Sequence, residues 1–518
     1  MSSAPLPRSS PASAPWSGAL LRLPSAALRA AANGLRRLRR RKAAWIALDE
    51  PWSFELLPPP RAWRLPFARS ASFDLAALRA LLARCRADPR VRGVIVRPEL
   101  WTLRGALPFA AADEIAEALL EARSAGLRIA AFGHSWGLAE LVIASACERR
   151  AMPPLGELDL RGLRVTQLYG KRLLERAGLR AEVVKRAEYK GAADALIEER
   201  MPEPQREALG AFLDDVHEWL IARLAALRGE SAASVRERLA LGPCLASEEP
   251  GGAWIEHVLY EDELVAALDP ACAEREPCSW RDARRWLLRR AAPPRDPRQG
   301  VLRVEGAIVR GRSRRRALPF FPRTTGLQDF AREVRAARRR RDVVRWVLHI
   351  DSPGGDALAA DLMHRELGLL ARERELVAHL GSVAASGGYY IATAARRIEA
   401  HATTLTGSIG VLAGKLDASG LLEKLGIGAE HVDRGRFQGL QGWTSPLEPD
   451  ERALLERTVD AIYARFRRCV AAGRGLADEE VERLARGRIW SGRAAHAQRL
   501  VDALGSFAAC ERGAEVSR

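Results

Sequence analysis

The sequence predicts an α/β protein made of two fused copies of one βαβ unit, and three observations lead to that expectation. First, short runs such as VLRVEGAIV (301–309), VVRWVLHID (343–351) and ELVAHLG (375–381) alternate with helical patterns such as DALAADLMHRELGLLARER (356–374). Strand–helix alternation at this pitch requires crossover connections and a largely parallel sheet. Second, the chain matches itself at a spacing of 248 residues: IASACERR (143–150) with IATAARRI (391–398), and LLERAGLRAEVVKRAEYKG (173–191) with LLEKLGIGAEHVDRGRFQG (421–439), without a gap between the two blocks. Third, 518 residues exceed what one ordinary core can organise, so more than one domain is expected.

Taken in order, residues 1–43 form a basic arm. Residues 1–48 contain no Asp or Glu, and GLRRLRRRK (34–42) clusters six cations. Leu28, Ala31, Leu35 and Leu38 fall on one helical face, so this arm reads either as a helix lying on an anionic membrane surface or as a solvated basic arm. Residues 44–268 are the first repeat, with DPRVRGVIVRPE (88–99) as the counterpart of RDVVRWVLHIDSPGG (341–355). Residues 269–300, rich in Pro and charge, are expected to be a linker, and 301–512 are the second repeat.

Composition narrows the function. Hydrophobic content of 47% with 28% charged residues describes a globular chain. A net charge of +17 suits anionic lipid. With 6% aromatics and arginines spread along the whole length, no nucleic-acid interface is expected. The seven cysteines form no CxxC pair and read as free thiols, and the nine histidines form no HExxH, so neither metal nor cofactor is expected. No run approaches the roughly 20 apolar residues that span a bilayer.

The repeats differ where chemistry would reside. At the 248-residue spacing Ser386 falls on Leu138 and Lys190 falls on Gln438; upstream, where the spacing differs slightly, DSPGGD (351–356) is matched by RPELWT (97–102). The first copy keeps a lysine and lacks the serine and glycines, and the second does the reverse. One composite site is therefore expected, with Ser386 as nucleophile and Lys190 as its base. The chain has only six lysines, Lys42, Lys171, Lys185, Lys190, Lys415 and Lys424, and uses arginine for its other fixed positive charges. A lysine can release its proton near neutral pH, whereas a guanidinium stays charged. A serine hydroxyl needs a base to become a nucleophile, and a lysine can serve once burial lowers its pKa from about 10.4 toward 7–8.

The small residues have expected roles too. Gly354 and Gly355, after a buried strand, would present backbone N–H groups as an oxyanion hole. Gly387 and Gly388 beside Ser386 would let the substrate backbone approach. Ser408, in TGSIG, would hydrogen-bond the neutral lysine and orient it.

The motifs DSPGG (351–355), AASGGYY (384–390), TLTGSIG (404–410) and the distant EYKGA (188–192) resemble those of the signal peptide peptidase A family, also called protease IV, in its long duplicated form. The resemblance covers roughly residues 44–510, the internal repeat included. It implies tandem Clp-protease/crotonase-like domains, and a serine peptidase whose Ser386–Lys190 dyad degrades cleaved signal peptides or other hydrophobic membrane-derived peptides. It also implies a homo-oligomer, a tetramer-like ring. Members of this form are commonly anchored by an N-terminal transmembrane helix. Here only the basic arm is present, so the expectation is peripheral attachment to a bacterial inner membrane, on a side the sequence leaves open. Three other readings stand beside this one. An α/β-hydrolase esterase would use AASGG as its nucleophile turn with His401, His431 or His496 as base. A degenerate protease would bind peptides or act as a scaffold without cleaving. A crotonase acting on acyl-CoA fits the fold and leaves the serine–lysine complementarity unexplained.

Overall fold

The computed structural model describes residues 32–34, 36, 44–56, 72–103, 108–249, 254–288, 298–314 and 323–513. Most of the basic arm, including Leu28, Ala31, Leu35 and Leu38, lies outside them.

In the first half, four parallel strands lie side by side: β1 (Ala44–Leu48), β2 (Val91–Val96), β3 (Ile129–Phe132) and β4 (Arg149–Met152). The strand β5 (Arg180–Arg186) leaves this sheet, and the short strands β6 (His257–Val258) and β7 (Cys278–Ser279) extend it beyond β4 and β1. The inner strands read as nearly continuous apolar runs because helices cover the sheet. One of these is α1 (Leu75–Ala87), which starts on the Asp74 carboxylate and buries Leu75, Leu78, Leu81, Leu82 and Cys85 along one stripe. The helices α2 (Phe109–Ser124), α3 (Leu138–Ser145) and α4 (Glu203–Arg228) complete the packing.

Part of the stretch expected to be a linker belongs to the first half's sheet and core. β7 joins the first sheet, and the helix that follows it, Trp280–Trp286, inserts Ala283 and Trp286 into the first core. Burial of that indole outweighs the charge-rich, proline-rich composition on which the linker expectation rested.

The second half repeats the design: β8 (Gln299–Glu305), β9 (Arg345–Ser352), β10 (Glu375–Ala385) and β11 (Arg397–Ala400) run parallel in that spatial order. β10 is long enough to change partner along its length. Val377–Leu380 pair with β11, and Val383–Ala385 pair with β12 (Leu405–Gly407). A register shift between Ile350 and Ser352 on β9 accompanies the change. The helices α5 (Leu327–Arg339), α6 (Ala357–Glu373), α7 (Gly387–Ala392) and α8 (Pro449–Arg474) pack around this sheet.

The halves are joined through backbone. β13 (Val411–Asp417) pairs antiparallel with β5 of the first half over seven residues, from Arg180 opposite Asp417 to Arg186 opposite Val411. This ribbon carries Val184 into the second half's core. Other bonds cross as well. Thr403 N–H donates to His401 Nδ1, so Nε2 carries the proton and donates to Asp113 at 3.1 Å. Near the C-terminus Phe507 N–H is bonded to the buried carboxylate of Glu114. No helix among the described residues is long and apolar enough to cross a membrane.

Candidate active site

β10 ends at Ala385, and Ser386 occupies the turn into α7, at the carboxyl end of the parallel strands where open α/β sheets hold their ligands. Ser386 has φ +53° and ψ −121°, a conformation that costs a non-glycine residue roughly 1–3 kcal/mol. Hydrogen bonds fix it from both sides: Ser386 N–H donates to the Gly407 carbonyl at 2.8 Å, and its own carbonyl accepts from Tyr390 N–H at 2.8 Å.

The lysine arrives from the other half. Beyond β5 the chain turns at Ala187 (φ +77°), and Tyr189 N–H donates to the Arg486 carbonyl at 3.1 Å. Across the ribbon, β12 runs into Ser408 (φ +50°), whose N–H donates to the Arg488 carbonyl at 2.7 Å. The register that sets Arg186 opposite Val411 thereby brings Lys190 to Ser408 and Ser386. Lys190 Nζ lies 3.0 Å from Ser386 Oγ, 2.9 Å from the Ser408 carbonyl oxygen and 3.0 Å from Ser408 Oγ. These contacts match a neutral amine, whose two N–H bonds can be given to the Ser408 oxygens while its lone pair accepts the Ser386 hydroxyl proton. Burial alone pushes the Lys190 amine down to about 8. No carboxylate contributes to that shift.

Two glycines that sequence reading passed over make room for this lysine. A Cβ at Gly487 (φ +78°) would lie 2.4 Å from Lys190 N and 2.7 Å from Lys190 Cβ, and one at Gly410 would lie 3.1 Å from Lys190 Cδ. A cross-half clamp was also passed over. Tyr189 Oη donates to Glu207 at 2.8 Å, and Arg488 donates to the same carboxylate at 2.7 Å with its guanidinium 5.1 Å over the Tyr189 ring. Arg488 thus holds Ser408 with its backbone and the residue before Lys190 with its side chain. These residues lie almost three hundred positions apart, and no local pattern links them.

The DSPGGD segment folds into a tight turn against Ser386. Ser352 Oγ donates to the Gly306 carbonyl at 2.6 Å and accepts from Gly354 N–H at 3.1 Å. Asp356 caps α6 by accepting from Ala359 N–H at 2.8 Å. Gly354 (φ +96°) is required for contact, since a Cβ there would lie 2.9 Å from Ser386 Cβ and 2.6 Å from Gly387 N. Its N–H is already given to Ser352, and its carbonyl accepts from Ile308 N–H at 2.8 Å. Gly355 N is the neighbouring donor, 3.4 Å from the place a Gly387 Cβ would occupy. Gly387 opens α7, so its N–H has no partner within the helix. Gly387 and Gly388 are both buried, and a Cβ on Gly388 would meet the Ser352 carbonyl at 2.7 Å. Gly388 therefore serves the packing of α7 on the DSPGGD turn rather than an open groove.

Four of the histidines are engaged elsewhere. His379 and His349 are buried with their Nδ1 atoms 3.1 Å apart, and burial drives His349 down to about 3 and His379 well below its ordinary range. His401 is bonded to Thr403 and Asp113, and His431 Nε2 lies 3.3 Å from Thr444 Oγ1. Among the described residues no group of His, Cys, Asp or Glu is arranged to hold a metal.

Comparison with known proteins places the chain in a family. The model of peptidase family S49 matches residues 122–243 and 369–516, one segment in each half. The chain belongs to peptidase family S49. Its S49 relatives include the chloroplastic serine protease SPPA of Arabidopsis thaliana, 29% identical over 81% of this chain and 62% of that protein. Protease 4 of Salmonella typhi is 27% identical over 77% of this chain and 66% of that protein. The chain thus spans about two thirds of the length of these S49 relatives. Among solved structures, a point mutant of ClpP1 from Listeria monocytogenes aligns with 41% of this chain and 92% of its own, at 14% identity and a TM-score of 0.27.

Proposed function

We propose that this S49 member is a serine endopeptidase working through a Ser386–Lys190 dyad, and that it degrades cleaved signal peptides or other hydrophobic membrane-derived peptides. The observation that carries the reading is the buried Lys190 amine, free of any carboxylate partner, 3.0 Å from the hydroxyl of a serine held at positive φ. In the forward step Lys190 Nζ takes the Ser386 proton as Oγ attacks the scissile carbonyl carbon. The oxyanion that forms is met by the N–H groups of Gly355 and Gly387, with Gly354 allowing the close approach of the turn. The ammonium then gives its proton to the departing amine, leaving an ester on Ser386. A water that loses its proton to Lys190 cleaves that ester and regenerates the hydroxyl. Ser408 positions the lysine throughout by accepting its two N–H bonds. Every proton in this sequence is carried by the chain's own side chains and water.

The substrate class is supported by the motif resemblance to the signal peptide peptidase A family and by the small apolar residues around Ser386. Peripheral attachment to an anionic membrane through residues 1–43 is part of the same reading. The test is cleavage of a fluorogenic signal-peptide sequence by the wild type, Ser386→Ala and Lys190→Ala, alongside covalent labelling by a serine-directed acylating probe. Both variants should lose activity by a factor on the order of 10⁴ or more, and only Ser386→Ala should lose the label site itself. Retained cleavage by Lys190→Ala would overturn the assignment, and a wild type that binds the peptide without cleaving or being labelled would favour the scaffold reading.

A further inference from the structure

Arginines gather at one place that the Ser386–Lys190 chemistry does not use. At the amino ends of β9, β10 and β11, beside the carboxyl ends of α5 and α6, a pocket of about 410 Å³ opens, a volume that small ligands fill. Arg341, Arg372, Arg374 and Arg396 line it, together with Glu373 and Glu375. Ser386 follows the other end of β10, an 11-residue strand, so the pocket stands roughly 35 Å from the dyad.

The charge of this pocket is not balanced by the chain. Both glutamates are engaged by arginines outside the lining: Arg338 donates to Glu373 at 3.1 Å, and Arg345 donates to Glu375 at 3.2 Å. Arg341, Arg372 and Arg396 are exposed, and their side chains have no hydrogen-bond or ion-pair partner among the described residues. Arg374 is half-buried. Its Nη1 donates to the Glu373 carbonyl at 2.7 Å, and its Nε–H is buried with no acceptor. A buried donor of that kind is costly until something accepts from it. Cations are favoured at helix carboxyl ends, but Arg338 and Arg339 already stand in the last turn of α5 and Arg372 in that of α6. Arg341, Arg374 and Arg396 are in excess of that need. The backbone holds the segments that carry them: Glu375 N–H donates to the Val344 carbonyl at 3.2 Å, and Arg396 N–H to the Leu376 carbonyl at 3.1 Å.

We propose that this pocket binds a phosphate monoester, either the headgroup of phosphatidic acid in a membrane or a soluble phosphomonoester. Four guanidiniums held together repel one another, and a carboxylate, with two oxygens and one charge, satisfies only one of their forks. A phosphate monoester brings three terminal oxygens and nearly two negative charges, and its edges match guanidinium forks bidentately. Val344 also lines the pocket and is 50% exposed, which gives the carbon beyond the phosphate an apolar contact. The proposal is independent of the chemistry at Ser386.

The experiment titrates the full chain with glycerol phosphate at fixed ionic strength by calorimetry, and measures flotation with phosphatidylcholine vesicles that contain or lack phosphatidic acid. The wild type should bind glycerol phosphate saturably at one site and melt later in its presence. Arg372→Gln/Arg396→Gln should bind about 10-fold more weakly or worse. Arg457→Gln/Arg468→Gln removes the same charge from exposed positions on α8 and should bind as the wild type does. Without ligand, both double variants should melt as cooperatively as the wild type, which separates loss of the site from loss of the fold. Vesicle capture that requires phosphatidic acid and falls only in the pocket variant supports the proposal with the lipid as source. Equal capture of all three proteins, with glycerol phosphate binding lost only in the pocket variant, supports it with a soluble source. Neither saturable binding nor pocket-dependent capture by the wild type, or equal weakening in the two double variants, the mark of diffuse attraction to a chain of net charge +17, would overturn it.

Discussion

The most exposed consequence of the site is its pH dependence. In the proposed mechanism Lys190 must be neutral to accept the Ser386 proton, and burial brings its amine to about 8 from an ordinary value of 10.5. The shift corresponds to roughly 3 kcal/mol in favour of the neutral form. With that value about half the sites are competent at pH 8, about a tenth at pH 7 and about one in a hundred at pH 6. The expected plot of log kcat/KM therefore climbs with unit slope from pH 6 and bends near 8. Because the cause is burial rather than a neighbouring charge, the bend should stay in place between low and high salt, whereas a Coulombic shift would be screened. The same group links pH to stability. Its folded pKa is depressed, so between about 8 and 10.5 the unfolded chain holds the extra proton and stability rises with pH across that window, by up to roughly 3 kcal/mol. Stopped-flow acylation of a peptide ester at several pH values gives the first profile, and chemical denaturation of Ser386→Ala against Ser386→Ala/Lys190→Met gives the second. A bend near 6.5, where a histidine titrates, or a profile flat from pH 6 to 9, would refute the reasoning.

Two further outcomes bear on the frame around the lysine. Ser408→Ala removes one of the two oxygens that accept from Lys190 and leaves the backbone carbonyl, so kcat should fall about 10- to 100-fold with KM little changed in steady-state peptide cleavage. Gly487→Ala places a Cβ 2.4 Å from Lys190 N and should abolish cleavage, whereas Gly475→Ala, also at positive φ but with nothing within 4 Å, should cost about 1 kcal/mol in denaturation and leave the rate unchanged.

Much of this was legible in the sequence because the chain carries its own alignment. Comparing one repeat with the other singled out Ser386 and Lys190 as residues that only one copy keeps, and the structure brings their side chains to hydrogen-bonding distance. The parallel strands of each half were legible for a related reason: buried strands such as Ile129–Phe132 and Arg345–Ser352 carry little but apolar residues along their buried runs. What stayed hidden depends on approach between distant segments. Gly487 reads as an ordinary turn glycine until Lys190 is seen against it. The packing of Trp280–Trp286 depends on contacts with the first core that composition does not reveal. The hydrogen bond from Gly354 N–H to Ser352 Oγ could not be read from a motif that contains both residues and says nothing of the dihedral angles between them.

The division of the dyad between two halves has a physical consequence of its own. A serine and a lysine adjacent in sequence would meet in the unfolded chain, whereas here they meet only after β5 and β13 have paired across the two domains. Lys190 is solvated and charged until that happens, because nothing but burial lowers its pKa. Folding of either half alone leaves Ser386 with a hydroxyl and no base, or leaves an ammonium with nothing to accept a proton from. In the proposed mechanism the ribbon that fixes the relation of the halves is thus also the element that supplies the nucleophile with its base, so local opening of that ribbon would separate the two even with both cores intact.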